Sequence, residues 1–464
     1  MIPLKASQIA EIVGGKLNGS DVVIDKRPVF NSKDASKGSL FLALIGEERD
    51  GHDFVSDAFS HGAQLALVSK SVPEAHILVP DVMKALATLA KHLRSNLPDL
   101  VVVAITGSQG KTTTKDLLTE LLSGKGRTVS PEGNFNNELG APLTLLQCTP
   151  ETKYCIIEMG ARHIGDIAAL CEVVTPDIGV VLKVGSAHIG EFGSAEAVAK
   201  AKSEMVSNIA DDAIAILGDY DSFTPAMSKL HKGRTIIFGQ NSGDEIRAAD
   251  LEMREGRPHF DLVTPDGRAS VGLRIVGIHQ TSNALAAAAV GSALGFSVDY
   301  IAGALSTATV QSKWRMQVHE FQSRVLINDA YNASPESMEA ALRTLILFAQ
   351  ERGGQAWAFL GKMHELGESS ASEHARIGTL AQELGVDHLV CIAAPEYAAT
   401  LTGAKNGESN STKSHMSVHM CTDKSEAEKL LSEISAGDVI LVKASRSEHL
   451  EELAETILTR GRAT

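Results

Sequence analysis

The chain has 464 residues, 44% of them hydrophobic and 22% charged, the balance of a globular protein too long for one ordinary domain. Fifty-seven acidic residues against 43 basic ones leave a formal charge of −14. That excludes a general nucleic-acid or anionic-membrane binder and leaves room for a local basic pocket. Five cysteines, at 148, 155, 171, 391 and 421, form no Cys-x-x-Cys pair and read as reduced core thiols. The opening Met1-Ile2-Pro3-Leu4-Lys5 lacks a signal peptide's apolar core, and the longest near-apolar stretch, 284–296, is too short to span a bilayer. A cytoplasmic monomer with no nucleic-acid partner and no membrane insertion is expected.

In chain order, residues 1–82 hold short strands near 29–30, 39–44, 65–68 and 77–79. Asp81 is placed to cap a helix from Met83 to Leu97, which Pro98 ends. Residues 83–311 alternate strands (101–105, 154–158, 178–184, 214–217, 235–238) with helical patterns, the rhythm of a mostly parallel sheet covered on both faces. Within this block 250–276 reads as a β insertion turning at Thr264-Pro265-Asp266-Gly267, and a long helix over 281–294 follows. Residues 312–464 repeat the α/β rhythm with strands at 324–328, 356–360, 388–392 and 438–442, Rossmann-like but without the Gly-x-Gly-x-x-Gly fingerprint. Residues 404–415 read as a surface loop.

The chemistry concentrates where Val101–Ile105 meets Thr106-Gly107-Ser108-Gln109-Gly110-Lys111-Thr112-Thr113. A buried strand, a glycine turn and a helix opening on Lys-Thr-Thr make a phosphate cradle. Backbone N–H groups and the helix dipole face the anion, Lys111 adds a point charge, and the Thr112 hydroxyl can ligate Mg²⁺. The loop is a short form: the usual outer glycine position is Ile105. Glu158 ends the apolar strand from Tyr154, at the edge where open α/β sheets bind ligands, and can ligate Mg²⁺. Asn134, Asn136 and Asn137 either bond a polar substrate or form a turn and helix cap. His188, in the glycine-framed loop from Val184 to Gly193, is either a ligand or a hydrogen-bonded structural residue. Taken alone, 198–204 with Lys202 is a solvated helix face. Asp329 ends a strand leading into Tyr331 and Asn332, a natural ribose or phosphate edge. Lys443, Ser445 and Arg446 put two cations at another strand end, suited to a carboxylate or phosphate, or else form a helix-start turn.

Together these segments resemble the Mur ligases over essentially the whole chain. The resemblance implies three domains: a small α/β UDP-sugar-binding unit (1–82), a central ATP-binding parallel sheet (83–311) and a C-terminal Rossmann-like unit (312–464). Thr106–Thr113 is similar to the family's ATP loop, 133–142 to its asparagine-rich segment, and Glu158 to its magnesium glutamate. His188 and Lys202 match the second-metal histidine and the carbamylated lysine. His279 and Asn283 match the adenine-side segment, while Arg315 and Asp329 match the phosphate and ribose contacts. Asn31, Ser32, Lys33 and Gly46 fall in the UDP-type domain, and the segments at 329–338, 360–367 and 441–447 resemble the members that add a dipeptide. Departures stand out at three places: Asn31-Ser32-Lys33 in place of Asp-Ser-Arg, Trp314 in place of the Gly before Arg315, and Lys362 in place of Asp. The resemblance implies ATP, two Mg²⁺ ions and a carbamylated Lys202. The implied reaction joins D-Ala-D-Ala to UDP-N-acetylmuramoyl-tripeptide through an acyl phosphate. A member adding the third amino acid would carry an Asp-Asn-Pro-Arg segment, which is absent. A folylpolyglutamate synthetase-like ligase lacks the UDP-type domain, and a P-loop switch NTPase leaves Asn134–Asn137, His188 and the third block without a role.

Overall fold

The computed structural model describes residues 1–131, 133, 135–185, 189–310, 312–401 and 416–463. A short antiparallel pair, Leu4–Lys5 with Val23–Ile24, and three larger sheets are present, the larger sheets following one another along the chain. The first has four strands in the order Lys16–Asn18, His76–Leu78, Leu65–Val68, Leu40–Leu42, antiparallel at the first pair and parallel after it. The second has nine strands, and the third has six. Both are mainly parallel, and the molecule is the mixed α/β fold that the sequence predicts.

The central sheet runs Gly267–Gly272, Arg257–Thr264, Ile246–Arg254, Thr235–Gly239, Ile214–Gly218, Ile178–Val181, Val101–Thr106, Thr152–Glu158, Arg127–Val129. Val101–Thr106 lies between Ile178–Val181 and Thr152–Glu158, parallel to both. Its inner position explains its unbroken apolar run, since both faces are covered. The residues read as a β insertion are not a separate hairpin. Ile246–Arg254 pairs in parallel with Thr235–Gly239, and two antiparallel strands then extend the same sheet. The alternating exposure of Arg257–Thr264 records that one side of this extension faces solvent.

Helix Val82–Ser95 joins the first two units. Asp81 caps it by accepting the Lys84 backbone N–H at 3.0 Å. Its apolar stripe, Val82, Ala85, Leu86, Leu89, Ala90 and Leu93, is buried. That stripe shares one core with Ile9 and Leu65 of the first unit and with Val102 and Ile157 of the central sheet. Each fully buried leucine contributes roughly 1.5–3 kcal/mol, enough to keep the two sheets in register. On the opposite face Val103, Ile105 and Ile156 pack with helix Gln280–Ala293, whose alanines 284 and 286–289 are fully buried and admit the helix close to helix Lys111–Ser123.

The third sheet runs Gln317–Phe321, Arg324–Asp329, Val439–Lys443, Ala356–Leu360, His388–Ile392, Ser417–Cys421, all parallel except the first pair. Its carboxyl ends, carrying Asp329 and Lys443, face the phosphate loop of the central sheet. Among the described residues no helix is long and apolar enough to cross a membrane. The segment 404–415 lies outside the described residues.

Candidate active site

The strand Val101–Thr106 delivers the chain into a turn in which Gly107 and Gly110 take φ of +153° and +86°. At Gly110 the backbone also passes so close to Asn283 that a methyl group would stand 2.2 Å from Oδ1, so only glycine fits. Helix Lys111–Ser123 starts at once, and the unpaired N–H groups of its first turn face the loop's hollow. Lys111 Nζ donates to the Gly107 carbonyl at 2.8 Å, folding across the loop. Burial lowers the Lys111 pKa, against the pull of Glu158 and with the push of Arg315. A buried ammonium so disposed is arranged for an incoming anion.

Glu158, 1% exposed, closes the adjacent strand. Its Oε2 accepts from Thr112 Oγ1 and its Oε1 from Asn136 Nδ2, both at 3.0 Å. The three predicted amides therefore part company. Asn136 faces the site, and its carbonyl accepts the Gly160 N–H at 2.7 Å. Asn137 Oδ1 accepts the Gly140 N–H at 3.0 Å and starts helix Gly140–Leu145. Asn134 and His188 lie outside the described residues.

Helix Ala195–Ser207 corrects the reading of 198–204 as a solvated face. Val198, Ala201, Lys202 and Met205 form its buried side, and Lys202 is 3% exposed. Among the described residues Lys202 forms no ion pair with a carboxylate. Burial first, and then the nearby Lys111 charge, bring its pKa down to about 7. His279 is likewise pushed down to about 4, mainly by burial, and its Nδ1 is buried without a partner. Asn283 Nδ2 donates to Gln280 Oε1 at 2.7 Å, which fixes its oxygen toward the loop.

The C-terminal unit supplies the opposite wall. Lys443, fully buried at a strand end, pairs with Asp329 and donates to the Asn332 carbonyl at 2.8 Å. Asp329 Oδ1 accepts the Met316 N–H at 3.0 Å, so the cation, the carboxylate and the Arg315 segment are one unit. The Arg315 guanidinium covers the Tyr331 ring at 4.0 Å and the Arg446 guanidinium covers the Trp314 ring at 4.4 Å. Burial raises the Tyr331 pKa, opposed by Arg315. Trp314 and Met316 both have positive φ, +59° and +49°. The left-handed backbone explains why the resembling family has glycine at position 314. Here the Trp, at a cost of about 1–2 kcal/mol, is held by its own backbone bonds to Gln317 and Tyr331 and by the Arg446 stack. Lys362 contributes its carbonyl to the Ser445 N–H, and Ser445 Oγ accepts the His364 N–H at 2.9 Å.

One cavity of about 1350 Å³ is lined by Ser108–Thr113, Asn136, Asn137, Glu158, Lys202, His279, Asn283, Arg315, Asp329, Tyr331, Asn332, Lys443, Ser445 and Arg446. Thr106 and Gly107 form the loop's stem behind it. Asn31, Ser32, Lys33 and Gly46 lie apart in the N-terminal unit. Ser32 is buried, Asn31 Oδ1 accepts the Lys33 N–H at 3.2 Å, and the neighbouring Phe30 meets Phe135 edge-on at 6.2 Å, reaching toward the cavity. The same cavity is lined by residues that sequence reasoning missed, including Lys84, Arg162, His163, His364 and His449. Arg162 and His163 carry a local signal, since they follow the strand that ends at Glu158, and His364 lies in the resembling segment 360–367.

A phosphate cradle, a carboxylate at the next strand end and a cationic wall from a third sheet define an ATP-dependent ligase of the three-unit kind. The chain belongs to the Mur ligase family: the Mur ligase middle domain matches residues 105–291, and the Mur ligase glutamate ligase domain matches residues 314–446. It is similar to the UDP-N-acetylmuramoyl-tripeptide--D-alanyl-D-alanine ligase of Mycobacterium tuberculosis, 39% identical over 99% of this chain and 98% of that one. The Escherichia coli enzyme of the same name is 33% identical over 99% of this chain and all of its own. The crystal structure of MurF from Acinetobacter baumannii superposes with a TM-score of 0.88 at 33% identity, covering 98% of this chain and 99% of that one.

Proposed function

We propose that the chain joins D-Ala-D-Ala to UDP-N-acetylmuramoyl-tripeptide at the expense of ATP, forming the pentapeptide precursor of peptidoglycan. The reading is carried by the full-length relatives that bear this activity as their name, and the cavity supplies the parts the reaction needs. A carboxylate does not condense with an amine at neutral pH. The substrate's terminal carboxylate therefore takes the γ-phosphoryl group of ATP, and the dipeptide amine then displaces phosphate through a tetrahedral intermediate.

Each residue's part follows from its place. The loop N–H groups and Lys111 hold the phosphates and neutralise charge as the phosphoryl moves. Arg315, fixed over Tyr331, adds a second cation there. His279 and Asn283 face the base side, and Asp329 with Lys443 forms the ribose edge. Thr112 and Glu158 would hold one Mg²⁺ through two hard oxygens. Lys202, as a carbamate, and His188 would hold a second Mg²⁺. When bound, these ions screen the repulsion between the anionic carboxylate and ATP. The first unit, 1–82, holds the UDP-sugar, 83–311 the phosphates, and 312–464 closes over both. The chain acts as a cytoplasmic monomer.

The direct test is mass detection of the UDP-muramoyl-pentapeptide from purified protein, ATP, Mg²⁺, the tripeptide substrate and D-Ala-D-Ala. ATP hydrolysis without amide product would refute the reading. A second test separates the units. Ser32→Ala and Gly46→Ala are expected to raise the KM for the UDP-sugar substrate roughly tenfold while the KM for ATP stays level, the mark of a lost uniform binding contact. A methyl group at Gly46 meets only the Arg49 carbonyl at 3.4 Å, so the change stays local. A fall in ATP affinity instead would reassign the first unit.

A further inference from the structure

The Gln109 side chain ties the phosphate loop to the C-terminal unit. Gln109 Nε2 donates to Ser334 Oγ at 3.0 Å and to Glu336 Oε2 at 3.1 Å. On its other flank the loop is fixed within the central sheet. The Ser108 N–H donates to the Lys183 carbonyl at 3.0 Å, and Ser108 Oγ accepts the Gly185 N–H at 2.9 Å. Glu336 lies against that strand end too, since a methyl group on Gly185 would stand 3.4 Å from its Oε1. The units also meet where Gly190 approaches the backbone of Glu365 and Gly367 and where Gly256 approaches the Phe348 ring.

Ser334 is not isolated from the chemistry. Two residues before it, the Asn332 carbonyl holds Lys443, Lys443 holds Asp329, and Asp329 holds the Met316 N–H next to Arg315. Ser334 also opens helix Pro335–Arg352, with its N–H bonded to Ser337 Oγ at 2.9 Å. The strap from Asp329 to Ser334 is therefore stiff, and Gln109 fixes its end relative to the phosphates. The residue type matters. A neutral amide donates to both a hydroxyl and a carboxylate, whereas a carboxylate at 109 would repel Glu336.

We propose that Gln109 is a positioning residue: its side-chain amide sets the register of the C-terminal unit on the phosphate loop, and so the placement of Arg315, Tyr331 and Lys443 over the phosphates. The proposal rests on the ligase reading above and goes beyond it, because that reading holds the nucleotide by the loop's N–H groups and Lys111 and gives the Gln109 side chain no part.

The test is a set of variants assayed for ligation: Gln109→Ala, Gln109→Glu, Glu336→Gln and the double variant Gln109→Glu/Glu336→Gln. Gln109→Ala should lower kcat about tenfold or more while the KM for ATP moves less than about threefold, since a lost bond to a charged group acts on alignment and not on nucleotide contact. Gln109→Glu should be worse than Gln109→Ala. The double variant should recover about tenfold over Gln109→Glu, because the amide at 336 can donate back to the carboxylate at 109. Small-angle scattering with a non-hydrolysable ATP analogue should show a larger radius of gyration for Gln109→Glu than for the parent. An unchanged kcat in Gln109→Ala, a rise confined to the KM for ATP, or a double variant no better than Gln109→Glu overturns the proposal. A parent protein that forms no amide would sink the ligase reading instead, and the scattering comparison would still decide the coupling.

Discussion

Lys111→Ala is expected to abolish ligation, with a fall in kcat on the order of 10³-fold, the scale seen when a preorganised charge-stabilising donor is lost from a closed site. The fold should survive. Lys111 is buried, its pKa is lowered by burial and by Arg315, and it donates a hydrogen bond to the loop's own Gly107 carbonyl. Removing it deletes an electrostatic cost as well as that bond, so the nucleotide-free variant should melt within a few degrees of the parent. The variant should lose the thermal shift that the parent gains from ATP, because stabilisation by a ligand follows its affinity for the native state. A folded Lys111→Ala enzyme with near-normal turnover would remove the phosphate loop from the mechanism.

The phosphate loop was legible because three independent signals coincide there: an apolar β-branched strand, two glycines and Lys-Thr at the first helical turn. The backbone uses each of them, down to the close approach of Gly110 and Asn283. Glu158 was legible for the same reason, as a carboxylate at the exit of a buried strand. The remainder needed the third dimension. Strands Gln317–Phe321 and Ser417–Cys421 are sheet edges with polar, half-exposed residues, so their pattern carries little apolar alternation. Arg162, His163 and Lys84 join the cavity only because helix Val82–Ser95 and the loop after Glu158 are brought to one mouth. Gln109 is read from the sequence only as part of the phosphate loop, because the partners of its side chain lie more than 200 positions away.

Lys202 is the residue where local pattern and tertiary placement disagree most, and it carries the other large expected effect. A polar helix repeat argues for solvent, yet the helix turns Lys202 inward with Val198 and Met205. Its pKa of about 7, set by burial and then by Lys111, means the amine is charged below that pH and neutral above it. The folded state therefore binds fewer protons here than the unfolded chain between pH 7 and the ordinary lysine value of 10.5. Stability from this group rises with pH across that window and is lost as pH falls through about 7. The neutral amine can add CO₂, losing one proton to form a carbamate. The carbamate is an anion attracted to Lys111, where the protonated amine would be a cation repelled by it, and it supplies oxygen of the hard type Mg²⁺ prefers. Ligation in CO₂-depleted buffer should consequently fall, more steeply at pH 6 than at pH 8, and return on adding bicarbonate. Lys202→Ala should lose activity on the order of 100-fold, the cost typical of disturbing a metal's supporting shell. Short carboxylic acids should restore part of it by filling the vacated anion position. Intact-mass or ¹³C measurements at pH 8 should find one labelled carbamate in the parent and none in Lys202→Ala. A fully active Lys202→Ala enzyme, indifferent to bicarbonate, would return Lys202 to a structural part in its helix.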